Sequence, residues 1–257
     1  MTIETPGFPG TVAAATVVVF RNGPAGEPPE LLMLERAGSM KFAGGAAVFP
    51  GGKVDTADRE LAAKLSQGFG PDDAASRVAA LRETIEEAGL VLGMQVPVTA
   101  DQAAEARAML IEHRALSVVL DHFGWVPDLG IFNRWARWCP RREGTFDTRF
   151  YLADLGTGAV NVSKDNTENS HMFWASANEV LAMAERGEIS VIFPTRRNLE
   201  RLALHNSFAE ARNFAALYPD EIISASIRDI DGTDYLTIRD DMGYPVTAQL
   251  MSTVRRS

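Results

Sequence analysis

The stretch Arg82-Glu83-Thr84-Ile85-Glu86-Glu87-Ala88-Gly89-Leu90 decides how this chain is read. Extended backwards to Asp72-Asp73, whose acids suit the positive end of a helix, it has helical spacing and stops at Gly89. On such a helix Val78, Leu81, Ile85 and Ala88 share one stripe, and Glu83, Glu86 and Glu87 fall roughly opposite. Like charges at i, i+4 oppose a helix by roughly 0.2–0.5 kcal/mol per pair, so three clustered glutamates need open water or a cation. Hard oxygens of this kind suit Mg²⁺ or Mn²⁺, which keep several waters and take substrate phosphate oxygens as further ligands. From spacing alone, a solvated acidic face is the competing reading.

Upstream, Gly44-Gly45-Ala46-Ala47-Val48-Phe49-Pro50-Gly51-Gly52 ends a strand in a turn without β-carbons, where backbone can approach a metal or phosphate closely; a plain tight turn is the alternative. Strands are expected first, over 13–20, where a β-branched run is halted by Arg21-Asn22-Gly23-Pro24, then over 31–34 and 46–49. Helical spacing follows over 58–67, 72–88, 101–113, 177–186 and 195–218. Further strands are expected over 135–139 and 146–155, around Phe173-Trp174, and over 222–230 and 235–238, the last two flanking the hairpin signal Asp231-Gly232. The order is mixed α/β. No repeat or low-complexity linker interrupts it, so 1–257 reads as a single enlarged domain, with a core over about 11–218 and a hairpin extension over about 219–257. Three roles are open to the hairpin: supporting the core, covering the pocket, or forming a homodimer contact.

With 46% hydrophobic and 23% charged residues in 257, the chain can bury a sizeable core. A net charge of -9 and no Lys/Arg run argue against a protein that grips nucleic acid by its phosphates. A small phosphate-bearing substrate would then need a metal to supply positive charge. No stretch approaches the ~20 apolar residues of a membrane span, and residues 1–11 lack the pattern of a signal peptide, so a soluble protein without membrane partners is expected. The single Cys139 permits no internal disulfide and fits a reducing compartment, the cytoplasm by default. It has no partnered base, and His113, His122, His171 and His205 show no metal-ligand spacing.

Gly52, Asp58, Arg82-Glu83, Glu86-Glu87, Gly89 and Leu90 together resemble the box of the Nudix hydrolases. The departures are Asp58 where the family prefers Glu, Thr84 in place of a hydrophobic residue, and a longer segment between Asp58 and Arg82, which a loop accommodates at small entropic cost if its ends stay fixed. The resemblance implies an α/β/α sandwich with a mixed β-sheet and the box helix packed beside it, here carrying extra C-terminal helices and a β-hairpin. Leu31-Leu32, Arg36, Lys41, Gly45 and Phe49-Pro50-Gly51-Gly52 are similar to the coenzyme A and acyl-coenzyme A diphosphatase branch, as are Trp138-Cys139-Pro140, Phe146-Asp147-Thr148-Arg149-Phe150 and Pro194-Thr195-Arg196-Arg197.

That branch implies Mg²⁺-dependent (Mn²⁺ also suits) hydrolysis of a diphosphate linkage in a small nucleotide substrate. Coenzyme A or an acyl-coenzyme A would yield adenosine 3',5'-bisphosphate and (acyl-)phosphopantetheine. ADP-sugar or NADH hydrolysis is the alternative, and a non-catalytic nucleotide-binding module a third. By the resemblance, the carbonyl of Gly52 and the carboxylates of Glu83, Glu86 and Glu87 hold the metal; Glu83 is either a ligand or the general base. Arg82 orients the site or forms a plain ion pair, and Arg36 and Lys41 bind phosphate or are surface cations. Glu168, in a polar loop, is an extra ligand or an ordinary loop carboxylate.

Overall fold

The computed structural model describes residues 5–36, 45–65, 67–156, 169–218 and 220–254. Strand β1 (Val12–Arg21) is buried along most of its length, as an apolar run is when both faces of its sheet are covered. Ala15, Val17 and Val19 enter one core, and Val18 and Phe20 the other. Strand β2 (Glu30–Arg36) meets β1 only where Phe20 and Arg21 face Leu31 and Glu30. Beyond that point residues 47–53 pair with both: β3 (Ala47–Val48) with β2, and β4 (Gly51–Lys53) with β1. The strand expected over 46–49 is therefore the first of two. Pro50 marks the change of neighbour, its carbonyl accepting the Val17 N–H at 2.8 Å.

Four helices follow: α1 (Thr56–Leu65), α2 (Pro71–Ala88), α3 (Ala100–His113) and α4 (Leu116–Phe123). Next come β5 (Asn133–Trp138), β6 (Phe146–Asp154), β7 (Asn169–Ser176), α5 (Ala177–Glu185), α6 (Phe193–Leu202) and α7 (Phe208–Ala215). The chain closes with β8 (Ile222–Ile223), β9 (Ser226–Ile230), β10 (Thr233–Thr237) and β11 (Ala248–Leu250). β6 runs parallel to β1 and β8 parallel to β5, while β5 pairs antiparallel with β6 and β7 with β2, giving the mixed sheet. Leu32 packs with Val78, Leu81, Ile85, Leu110 and Val119 on one face. Leu31 and Met33 pack with Phe193, Leu199 and Ala211 on the other, so the architecture is the expected α/β/α sandwich.

Several boundaries differ from the sequence reading, for local reasons. The helical spacing over 195–218 divides into α6 and α7, because the Ser207 hydroxyl accepts the Glu210 N–H at 3.1 Å and caps a new helix. The strand expected over 222–230 is β8 in the main sheet and β9 in a separate three-stranded one. Asp231 and Gly232, with φ of 53° and 80°, make the β9–β10 hairpin as anticipated. Helix α4 lacks a side-chain N-cap and was not foreseen. Of the three roles left open for the C-terminal hairpin, core support has contacts behind it: Ile238, Met242 and Tyr244, which follow β10, are buried in the second core beside Trp138.

Helix α2 is buried on nearly every side, not only along its apolar stripe. The polar groups it takes inward are paired. Asp73, wholly buried, accepts from Arg77 at 2.9 Å and from the Tyr151 hydroxyl at 2.8 Å, with Arg134 at 3.1 Å. Burial pushes its carboxyl up, yet Arg77 and Arg134 outweigh this and hold it below the usual carboxylate value. Asp73→Ala is expected to cost about 3–5 kcal/mol by stranding buried guanidinium charge, and Tyr151→Phe about 1 kcal/mol. Chemical denaturation of the two variants should reproduce that order.

Candidate active site

Arg82, on the second turn from the C-terminal end of α2 and almost wholly buried, joins three elements. Its Nε donates to Asp58 at 3.0 Å, and Asp58, 1% exposed, sits on α1. One terminal nitrogen donates to the Lys53 carbonyl of β4 at 2.8 Å and to Asp58 at 3.1 Å. The other donates to Glu83 at 2.8 Å and stands 3.6 Å from Glu86. Arg82 thus reaches back to Asp58 and forward to a carboxylate at once. Burial alone would lower the guanidinium's pKa, but the Asp58 hydrogen bond and the Glu83 charge raise it above the ordinary arginine value.

The glycine turn is pressed against this network. Gly51 leaves no room for a side chain: a β-carbon there would lie 2.4 Å from the Ala15 carbonyl oxygen, and its N–H donates to Glu87 at 2.8 Å. At Gly52 a β-carbon would fall 2.1 Å from Glu83 Oε1. The turn therefore needs glycine so that a carboxylate can lie against the backbone.

Glu83 and Glu86 keep side-chain exposures of 12% and 16%. Burial pushes the Glu83 carboxyl up to about 7, Arg82 opposing and Glu86 adding to the rise. Burial also raises Glu86. Two largely desolvated carboxylates held side by side favour a proton or a cation. Arg107 of α3, which the sequence did not single out, donates to the carbonyls of Glu86 at 2.9 Å and Glu87 at 3.2 Å. It satisfies end-of-helix acceptors and sets a positive charge at the negative end of α2, and no periodic signal marks it. Gly89, at φ 68°, closes the helix as the sequence implied.

Arg36 ends β2; its main chain exchanges hydrogen bonds with Gly45 and Ala46, and its buried Nε has no partner among the described residues. Lys41 and Glu168 lie outside the described residues. Among those described, no three His, Cys, Asp or Glu side chains close into a coordination cluster. Glu87 faces the Gly51 N–H and Glu83 faces Arg82, so the carboxylates form an edge, not a cage. Such an edge still fits a divalent cation of the magnesium type, which binds through one or two carboxylates plus substrate oxygens. The donors are hard oxygens, and the cradle at Gly52 holds one of them in place.

A family model for the NUDT19 Nudix domain matches residues 61–202, more than half of the chain. The chain belongs to the Nudix hydrolase family. Gly52 and Asp58 precede the matched residues, so their place in this Nudix hydrolase rests on the contacts above. The acyl-coenzyme A diphosphatase NUDT19 of Gallus gallus is 28% identical, over 79% of this chain and 71% of that protein. Its Homo sapiens counterpart is 26% identical, over 74% of this chain and 65% of that protein, slightly under two thirds of its length. A crystal structure of a Nudix hydrolase from Alicyclobacillus acidocaldarius superposes with a TM-score of 0.67 at 31% identity, covering 79% of this chain and 96% of that one. Among the described residues no helix is long and apolar enough to cross a membrane.

Two outcomes are expected. Gly52→Ala should fold normally, since the Glu83 carboxylate can swing aside, while hydrolysis falls by about 10²-fold from the misplaced group; normal activity would count against the cradle. The second concerns the metal-free protein. Glu83 holds its proton up to about 7 when folded but only to 4.5 by its ordinary value, so the folded state binds more protons between those limits. Its stabilising contribution is full below 4.5 and is lost as pH rises through 7. Denaturation midpoints in chelator should fall across that window, and less so in Glu83→Gln.

Proposed function

We propose that this Nudix hydrolase cleaves the diphosphate linkage of coenzyme A or an acyl-coenzyme A. Water adds to one phosphorus and the bridging P–O bond breaks, giving adenosine 3',5'-bisphosphate and (acyl-)phosphopantetheine. The observation that carries the chemistry is the Glu83 carboxylate lying against Gly52 with its proton affinity raised towards neutrality. The substrate is supported by the two vertebrate relatives, named acyl-coenzyme A diphosphatases, and by the Arg36 to Gly52 stretch that resembles the same branch.

In this reading Gly52, Glu83, Glu86 and Glu87 hold a divalent cation, magnesium or manganese, with Glu168 as a further ligand. When bound there, such a cation supplies charge for the diphosphate oxygens and acidity for a water. Glu83 is either one of those ligands or the base that accepts the water's proton. Arg82 fixes the direction of Glu83 and Glu86 through its bonds to Asp58 and Lys53. Arg36 and Lys41 take substrate phosphate oxygens. The reading treats 1–257 as one enlarged domain and, on its single free and buried thiol at Cys139, assigns it to the cytoplasm.

Mass analysis of products after incubation with Mg²⁺ and, separately, coenzyme A, an acyl-coenzyme A, ADP-ribose and NADH tests this. Phosphopantetheine products from the coenzyme A substrates are expected, with Glu86→Gln slower by about 10²–10⁴-fold. Cleavage of ADP-ribose or NADH alone would overturn the substrate and leave the chemistry standing.

A further inference from the structure

Away from the carboxylate edge, a cavity of about 320 Å³ opens beside Arg196 and Arg197, the fourth and fifth residues of α6. Ser190, Arg196, Arg197, Gln249 and Thr253 supply its polar lining. Arg197 is 2% exposed, yet its Nε has no hydrogen-bond partner. Its other contacts are Glu200 at 2.8 Å, Gln249 at 3.3 Å, the Val246 carbonyl at 3.4 Å and the Phe193 ring, whose centroid is 5.1 Å away. A buried guanidinium donor left unmade is costly in a folded protein and calls for an explanation. Arg196, next in the same turn, has only distant partners, Glu185 at 3.8 Å and Glu200 at 4.0 Å. Glu185 lies largely in water and Glu200 is engaged by Arg197 at 2.8 Å, so Arg196 keeps no close carboxylate.

The local backbone adds to this. Helix α6 starts after Ile192 without a side-chain cap, so the positive end of a ten-residue helix lies beside two arginines. On the other side, the Ser190 carbonyl accepts the Ala47 N–H at 2.7 Å, which fastens the cavity wall to β3 and, through Pro50, to the glycine turn. We propose that this cavity is a second anion site that takes a phosphate-monoester dianion, with Arg196 and Arg197 as its forked donors. The phosphate is either one carried by the substrate, outside the scissile diphosphate, or a free phosphate.

Calorimetric titration of inorganic phosphate into the metal-free protein, at constant ionic strength against chloride, tests the site without relying on the proposed function. Saturable binding is expected in the wild type and in Glu86→Gln, weakened at least about tenfold in Arg196→Glu and less in Arg196→Gln. Absence of saturable binding, or binding unchanged in Arg196→Glu, would overturn the proposal. A kinetic arm, which rests on the coenzyme A reading, separates the two sources. If Arg196→Glu raises KM for coenzyme A but not for its 3'-dephospho form, the phosphate is the substrate's own. If both KM values hold while phosphate binding is lost, the ligand is free phosphate. If coenzyme A is not a substrate, the titration still decides the site.

Discussion

The buried guanidinium of Arg82 is the interaction on which the rest of the site depends. It bonds at once to α1 through Asp58, to β4 through the Lys53 carbonyl and to its own helix through Glu83. Burying a cation is costly unless its donors are satisfied, and here every nitrogen of the fork has an acceptor or a close carboxylate. The consequence is geometric. Glu83, which would otherwise turn to water, is held against Gly52, while the Gly51 N–H beside it donates to Glu87. Removing Arg82 would leave Asp58, Glu83 and Glu86 as neighbouring desolvated acids, a loss of both fold energy and alignment.

The sandwich places that network. Because β1 is covered on both faces, α2 is pressed onto one of them by Val78, Leu81 and Ile85, and its acidic edge meets the inserted segment 47–53. Arg107 ties the end of the same helix to α3, and the Asp73, Arg77, Tyr151 cluster fixes its beginning. The helix carrying the glutamates is thus pinned at both ends and in the middle, which suits a site whose groups must not drift.

Much of this was legible in the sequence, and the reasons for the gaps are physical. The β-branched run of β1 and the Asp231-Gly232 turn declare themselves through local preferences, and so do the Gly89 stop and the stripe of α2. The spacing of Glu83, Glu86 and Glu87 showed which chemistry to consider, but the open acidic face it suggested is mostly enclosed. That enclosure comes from tertiary packing around α2, which periodicity does not record. The split of 195–218 at Ser207 turned on one capping hydroxyl, and β3 with β4 depended on a change of partner at Pro50. Arg107 gave no signal at all, and Arg197 was marked only by its place in Pro194-Thr195-Arg196-Arg197, since the meaning of both lies in neighbours distant along the chain.

The most direct test of the account is a Mn²⁺ titration of the metal-stripped protein, read by the paramagnetic resonance of free Mn²⁺. The account predicts one saturable ion per chain in the wild type, weakened at least about tenfold by Glu83→Gln with Glu86→Gln. Arg82→Met, which leaves the carboxylates in place but unheld, should weaken binding as well. Undiminished binding in the paired glutamate variant would contradict the claim that this buried carboxylate edge is the cation site.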